Sequence, residues 1–530
     1  MLYLFKNKRK SVIALIFGFI FCFINLMEMF LASGSSMTVG KYVMTLLGTV
    51  IFGSVIGELY LRLQVWIVKD TPGISKVKDN GNDLKYYGIC VLVLCFMYLP
   101  VFLAYYPGLF AYDVDTQIPQ YITGYSKHHN LLHTLYLHFF YYFIGENVLH
   151  SYSAGIAWAS IVQMILFAMM ISYVHLFLKR IKVNFKVRVI FIILSAILPF
   201  FSVLSISMTK DVLFAGFVGM LTVGFYYWDM DEHYYDTPGN VAVYLLALMG
   251  TVLFRNNGIY AVLIAFFAGI FFLVVKKRNF RFLIFTGVGI VLSVLISSGI
   301  ANALSAVNGS QNEMLSVPYQ QMAYVYHTEN NSLNPEEKAE IEWFLPDVKK
   351  YKPCISDPIK ANAQGAYHKK ELLSCYLKLF FKYPVEYVEA FFIHNAGFFY
   401  IGDQSHAEIY GADLEERSGY LLTDTKQGFG VEHISYLKPL ENLYETLFSA
   451  NEYQKVIPLA ILCSPAVYFW VLVLLAFYAI DLKKSCWIQF GFVFALILTM
   501  LAGPCALIRY ALPYIICVPV LGAAVIAKKR

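Results

Sequence analysis

About twelve apolar stretches, each of roughly twenty residues, recur along the chain, and that is the length a helix needs to cross a hydrocarbon core about 30 Å thick. They fall at about 11–32, 41–67, 86–105, 151–178, 189–205, 212–228, 241–255, 257–275, 282–305, 456–480, 486–502 and 510–527. Inside lipid every backbone N–H and C=O must be satisfied within the protein, which leaves helices as the form such runs take. The hydrophobic share is 58% and the charged share only 14%, against about 25% charged in a soluble domain. The expected fold is an all-α polytopic membrane protein with about twelve transmembrane helices in a lipid bilayer. MLYLFKNKRK begins like a signal peptide, but its apolar run is too long and no small-residue cleavage site follows, so it reads as a retained first span. LLHTLYLHFFYYFIG (131–145) reads as an additional interfacial or re-entrant helix.

The +6 net charge sits in short breaks between the apolar runs. That is the pattern of a membrane-topology signal, and no nucleic-acid partner is expected. Basic residues cluster at 6–10, 69–85, 179–188, 276–281, 483–484 and 528–530. Alternating spans put all of these, with both termini, in the cytoplasm. The acidic loop WDMDEHYYDTPGN (228–240) is the exception. The loop 106–150, which carries Lys127 alone, and the segment 306–455 then face outward.

Three parts follow: a membrane domain over 1–305 of about nine spans, with an outer loop at 106–150; a mainly helical extracytoplasmic domain over 306–455; and a membrane segment of about three spans over 456–530. Seven of the nine cysteines (Cys22, Cys90, Cys95, Cys463, Cys486, Cys505 and Cys517) lie in or beside apolar runs, as packing residues do. Cys354 and Cys375 share the external segment, where a disulfide can form.

Outward placement gathers the unusual polar residues on one face. Asp113 and Asp115 follow Tyr105, Tyr106 and Tyr112. Such a pair can deprotonate a nucleophile, hold a divalent cation such as Mg or Mn, do both, or form a solvated turn. Lys210, next to Asp211, and Arg255 and Arg509 each stand at the mouth of a span, suited either to a phosphate or to ordinary lipid headgroups. His129 and His133, four apart, would share a helix face, a spacing open to metal ligation or to hydrogen bonding with a phosphate or sugar. His138 and His150 read as interfacial. No nucleotide-binding loop, dinucleotide fingerprint, nucleophile elbow or zinc helix is found, which disfavours a nucleotide-fuelled reaction.

The order PG-x-x-x-YD-x-D-x-Q (107–117), HH-x-x-x-HT (128–134), S-x-TKD (207–211), FRNNG (254–258), VPYQQMA (317–323) and IRYALP (508–513) resembles bacterial integral-membrane glycosyltransferases of the GT-C superfamily, in a family 39-like branch. The resemblance implies transfer of a sugar, usually with inversion, from a polyprenyl-phosphate donor to a cell-envelope glycan, lipid or protein acceptor at the outer face of the bacterial plasma membrane. It implies Asp113 as base or metal-binding group, with Asp115 as accessory. Lys210, Arg255 and Arg509 would neutralise the departing lipid phosphate, and Gln117, Asn256 and His129 would hydrogen-bond sugar or phosphate. One departure is His-His-Asn at 128–130, where His-His-Pro is expected.

Two other classes compete. A polysaccharide polymerase or ligase also carries a large outer loop, but uses Arg and His at a lipid diphosphate. A transporter or flippase suits the span number, yet such carriers place their long link in the middle of the chain and in the cytoplasm.

Overall fold

The computed structural model describes residues 3–5, 7–31, 37–69, 82–109, 113–231, 233–276, 280–402, 429–448 and 452–526. Among them helices predominate and extended pairing is limited to isolated bridges. In chain order the helices are α1 (Lys8–Leu31), α2 (Val39–Lys69), α3 (Asp83–Ala104), the short α4 (Val114–Gln117) and α5 (Gln120–Thr123), and α6 (Leu131–His138). A π-helical stretch (Phe139–Val148) follows, then α7 (Tyr152–Arg180), α8 (Phe185–Ile197), α9 (Pro199–Ser205), α10 (Lys210–Met230), α11 (Pro238–Phe254), α12 (Gly258–Lys276) and α13 (Arg281–Ala303). The remainder are α14 (Ser316–Thr328), α15 (Pro335–Phe344), α16 (Asp357–Lys360), α17 (Lys369–Lys382), α18 (Pro384–Phe399), α19 (Lys438–Phe448), α20 (Ile457–Leu462), α21 (Pro465–Asp481), α22 (Trp487–Leu501) and α23 (Ile508–Ile526).

The chain is a multi-pass membrane protein. Eight helices among the described residues (α1, α2, α3, α7, α10, α12, α13 and α23) are long and apolar enough to cross a membrane. A ninth span is possible in α8 and α9 together, bent by 53°. The bend has a local cause: Pro199 opens α9, and the residue before a proline is forced out of the helical region, as Leu198 is with ψ 124°. The expectation of about twelve spans is therefore not met by length alone. The other three predicted runs fold as α11, α21 and α22, of 17, 17 and 15 residues. At 1.5 Å per residue these reach about 23–26 Å, short of a 30 Å core. Residues 131–148 form α6 and the π-helical stretch, which pack against α7.

α10 and α23 are the most deeply buried spans and pack against each other at the centre. α2 lies outside, with Leu46, Leu47, Val50, Ile51 and Phe52 exposed, the surface that lipid covers. At one end of the bundle Lys179 and Arg180, closing α7, grip Asp83 at the start of α3 at 2.7 and 2.8 Å. Asp113 follows the opposite end of α3. Tyr112 and the basic residues Lys6, Lys76, Lys78, Lys277, Arg278, Lys528, Lys529 and Arg530 lie outside the described residues.

The segment 306–455 divides in two. Residues 315–387 build their own core around Tyr319, Met322, Ile341, Leu372 and Tyr387. α18 joins both parts: Tyr387 near its start belongs to this core, while Phe398 and Phe399 at its end belong, with Phe448 of α19, to the main core of the membrane helices, and Trp470 Nε1 of α21 donates to the Phe399 carbonyl at 2.7 Å. Residues 403–428 of this segment lie outside the described residues. The possible disulfide is not formed. Cys354 packs with Ala396 and places its sulfur 3.7 Å from the Ile393 carbonyl, whereas Cys375 is buried in the separate core of α17.

Candidate active site

Two backbone hydrogen bonds bring the first acid and the first cation together. After α3 the chain turns at Pro107-Gly108, and Leu109 then pairs with the segment before α10: Leu109 N–H donates to the Ile206 carbonyl (3.0 Å), and Met208 N–H to the Leu109 carbonyl (2.9 Å). Gly108 is required here, because its φ is +126° and a Cβ would stand 1.9 Å from Ser160 Oγ. Gln163, buried on α7, fixes the other strand by donating to the Ser205 and Ser207 carbonyls at 3.0 and 2.7 Å. Asp113 then precedes α4 on one side, and Lys210 opens α10 on the other, with Thr209 as N-cap.

Lys210 Nζ donates to Asp113 Oδ2 at 2.6 Å. Arg509, in the first turn of α23, places Nη1 3.9 Å from the same oxygen and 3.5 Å from Asp211 Oδ2. Arg255, where α11 ends, donates to Asp211 Oδ1. Asp211 is fully buried, while 29% of the Asp113 side chain stays exposed, so the cluster opens to solvent on the Asp113 side. Three cations from three helices thus meet two carboxylates. Burial pushes the Asp113 carboxyl up, but the charges of Lys210 and then Arg509 outweigh it and hold the group well below the usual carboxylate range.

His129 lies against both members of the central pair, with Nδ1 3.2 Å from Lys210 Nζ and 3.6 Å from Asp113 Oδ2. Burial, then the charge of Lys210, brings its pKa down to about 3. The neutral ring accepts from Lys210 at Nδ1 and donates from Nε2 to Thr116 Oγ1 at 3.0 Å, and Thr116 in turn donates to the Asp113 carbonyl at 2.7 Å.

The expected shared face of His129 and His133 is corrected. Asn130 caps α6, with its side chain accepting from Leu132 N–H at 3.0 Å, so His129 precedes the helix while His133 is inside it. His133 points to Gln117, with Nδ1 3.2 Å from Oε1, and Gln117 Nε2 donates to Thr134 Oγ1 at 2.9 Å. The buried Nε2 of His133 has no hydrogen-bond partner among the described residues. Burial and then Lys210 bring this imidazole also to about 3. Asn256 accepts from Asn130 Nδ2 at 3.3 Å, which ties the α11–α12 turn to the cap of α6.

Asp115 sits one residue inside α4, half-buried. A divalent cation is one of the readings open to the Asp113–Asp115 pair, and the groups around Asp113 do not favour it. The lysine ammonium occupies the near side of Asp113 Oδ2 at 2.6 Å, with a guanidinium behind it. Among the described residues no three His, Cys, Asp or Glu side chains gather as a metal site.

The structure brings Asp113, His129, Lys210, Asp211, Arg255 and Arg509 into one cluster, with Gln117, His133 and Asn256 bonded around its edge. Sequence reading missed Tyr510. Its ring centroid lies 4.4 Å from the Arg255 guanidinium and 4.8 Å from that of Arg509, and its hydroxyl accepts from Arg509 Nη2 at 3.0 Å. The IRY motif held that signal, since a tyrosine beside an arginine can carry a second guanidinium on its face. Thr116, Asn130 and Thr134 were missed as well, and short polar residues next to helix starts were their only mark.

No curated protein and no solved structure matches the chain. Residues 117–530 match the family described as Family of unknown function (DUF6020), a stretch that begins just after Asp113 and takes in His129, Lys210, Asp211, Arg255 and Arg509. The match covers well over half of the sequence, and the chain belongs to that family, DUF6020.

Proposed function

We propose that the protein is a glycosyltransferase of the bacterial plasma membrane, moving a sugar from a polyprenyl-phosphate donor to a cell-envelope acceptor at the outer face, with both termini in the cytoplasm. One observation carries the reading: a solvent-accessible carboxylate, Asp113, is held at 2.6 Å by Lys210 with Arg509 beside it, at the end of a bundle of lipid-facing helices.

In the step this supports, an acceptor hydroxyl attacks the anomeric carbon. The bond from that carbon to the phosphate oxygen breaks, and its electron pair leaves with the polyprenyl phosphate. The hydroxyl proton passes to Asp113. A carboxylate held this far below its usual range is a weak base while paired, yet the leaving group gains a negative charge as the bond breaks. Lys210 and Arg509 can follow that charge, which relaxes their hold on Asp113 as a base is needed. Three cations gathered at one solvent-accessible spot favour an anionic donor in the first place.

The test is reconstitution in proteoliposomes with a panel of polyprenyl-phosphate sugars, beside mass spectrometry of envelope glycans from cells with and without the gene. A sugar missing from one envelope component in the deletion, and restored by wild type but not by Asp113→Asn, is the expected result. Envelope glycans identical with and without the gene, and no donor consumed in vitro, would refute the assignment.

A further inference from the structure

The segment 306–402 touches the cluster's supports at two places. At the first, residues just past α13 pair with the loop before α6: Lys127 N–H donates to the Val307 carbonyl (2.8 Å), and Val307 N–H to the Tyr125 carbonyl (2.9 Å). Gly309 then lies flat on the backbone of His128, where a Cβ would stand 2.6 Å from His128 Cα. The next residue is His129, which contacts Asp113 and Lys210.

The second place is the turn from α22 to α23. Ser356 N–H donates to the Pro504 carbonyl (3.0 Å), Ile355 bridges to Cys505, and His394 of α18, almost fully buried, donates from Nε2 to the Gly503 carbonyl (2.9 Å). Arg509 follows within a few residues. α18 is also the helix on which α14 packs from the extramembrane side and α1 and α21 from the membrane side. A side chain deep in that junction holds the carbonyl of a short turn whose other end presents a guanidinium to Asp113 and Asp211. A turn held at two adjacent backbone carbonyls has few ways to move, so the arginine at its exit is placed by the domain as well as by its own helix.

We propose that His394 is a positioning residue: the domain inserted before α20 sets Arg509 through the His394–Gly503 hydrogen bond and sets His129 through the 307–309 contact. This rests on the phosphate role given to Arg509 in the proposed function. The domain is thereby a structural part of the reaction centre, and an acceptor seated on it can alter the cation geometry around Asp113.

The experiment uses the full chain in lipid nanodiscs. Backbone hydrogen exchange of 500–510 is measured in wild type, His394→Ala and His394→Gln, a glutamine amide being able to donate from nearly the same point as Nε2. Binding of farnesyl phosphate is measured in the same samples. His394→Ala is expected to speed exchange over 502–507 by about fivefold or more and to weaken farnesyl phosphate binding severalfold, with His394→Gln close to wild type in both. Gly309→Ala is expected to speed exchange over 126–130 instead. Unchanged exchange at 502–507 in a folded His394→Ala protein overturns the proposal, as does faster exchange with binding unaltered while Arg509→Ala abolishes it. If Arg509→Ala itself leaves binding intact, the phosphate reading fails, and the exchange measurement alone decides whether His394 holds the turn.

Discussion

Lys210 Nζ stands 2.6 Å from Asp113 Oδ2, and this contact joins residues 97 positions apart in the chain through the pairing of Leu109 with Ile206 and Met208. Both are charged, both lie at the end of the bundle, and each is only partly exposed. An ion pair so placed keeps a carboxylate ionised without a metal and keeps a lysine aimed at one spot. A second pair, Arg255 with Asp211, lies behind it.

Replacing Asp113 by Asn separates binding from chemistry. The amide cannot take up a proton, so sugar transfer is expected to fall by about two to four orders of magnitude. Lys210 and Arg509 lose their competing anion at the same time. Farnesyl phosphate should then bind roughly five- to tenfold more tightly, the scale of about 1 kcal/mol. Binding by isothermal titration together with turnover checks both halves, and weaker binding in this variant would contradict the arrangement.

Arg255 is expected to matter for stability first. Asp211 is fully buried, and removing one partner of a buried pair costs about 3–5 kcal/mol. Arg255→Ala should therefore lower the thermal midpoint clearly more than Arg509→Ala, because Arg509 stands 3.5 Å from the same carboxylate and Arg255 closer. Adding Asp211→Asn should recover much of the loss. Scanning fluorimetry in detergent measures this, and equal midpoints for the two single variants would show that the pair carries little.

Acid should destabilise the protein through its histidines. His129 and His133 are held near 3 in the folded state, below the ordinary value of about 6.5. The unfolded chain therefore binds protons that the folded one refuses. The stability from these neutral rings is fully present above about pH 6.5 and is lost as pH falls toward 3. The double variant His129→Gln, His133→Gln should show a flatter midpoint-against-pH curve between pH 6.5 and 4 than wild type. Parallel curves would mean that these rings titrate normally.

Chelation should leave the protein unaffected. With an ammonium and a guanidinium beside Asp113 in place of further carboxylates, EDTA is expected to change neither farnesyl phosphate binding nor turnover. Added Mg or Mn should not restore the Asp113→Asn variant. Loss of turnover on chelation, reversed by metal, would show that the cluster rearranges around a cation.

Tyr510 provides a further check. Its ring meets both guanidiniums, an arrangement worth about 0.5–2 kcal/mol per contact. Tyr510→Leu should weaken farnesyl phosphate binding, while Tyr510→Phe, which keeps the face and loses only the hydroxyl, should sit nearer wild type. Equal losses in the two variants would place the effect in the hydrogen bond to Arg509 instead.

Much of the cluster was legible before folding. Asp113, Lys210, Arg255 and Arg509 each interrupt or border an apolar run, and a charge in that position is costly enough to stand out. The twelve apolar runs all became helix, since hydrophobicity over twenty residues is a local property. What could not be read were pairings. Arg255, expected at a phosphate, also pairs with Asp211, a partner that no local pattern indicates. His129 and His133 had helical spacing, yet Asn130 starts the helix between them, and a single cap residue outweighs a four-residue period.

The amino-acid order by itself determined that this chain is a multi-helix membrane protein and that its exceptional charges fall at the ends of apolar runs, because lipid admits only internally bonded backbone and penalises every charge within it. Tertiary packing decided the rest: which cation reaches Asp113, that Tyr510 lies against Arg255, and that His394 donates to the Gly503 carbonyl in the turn before Arg509. Those contacts join residues tens to hundreds of positions apart, and a hydrogen bond or ion pair exists only within a few ångströms, a distance that the packing of α7, α10, α18 and α23 sets and no local pattern records.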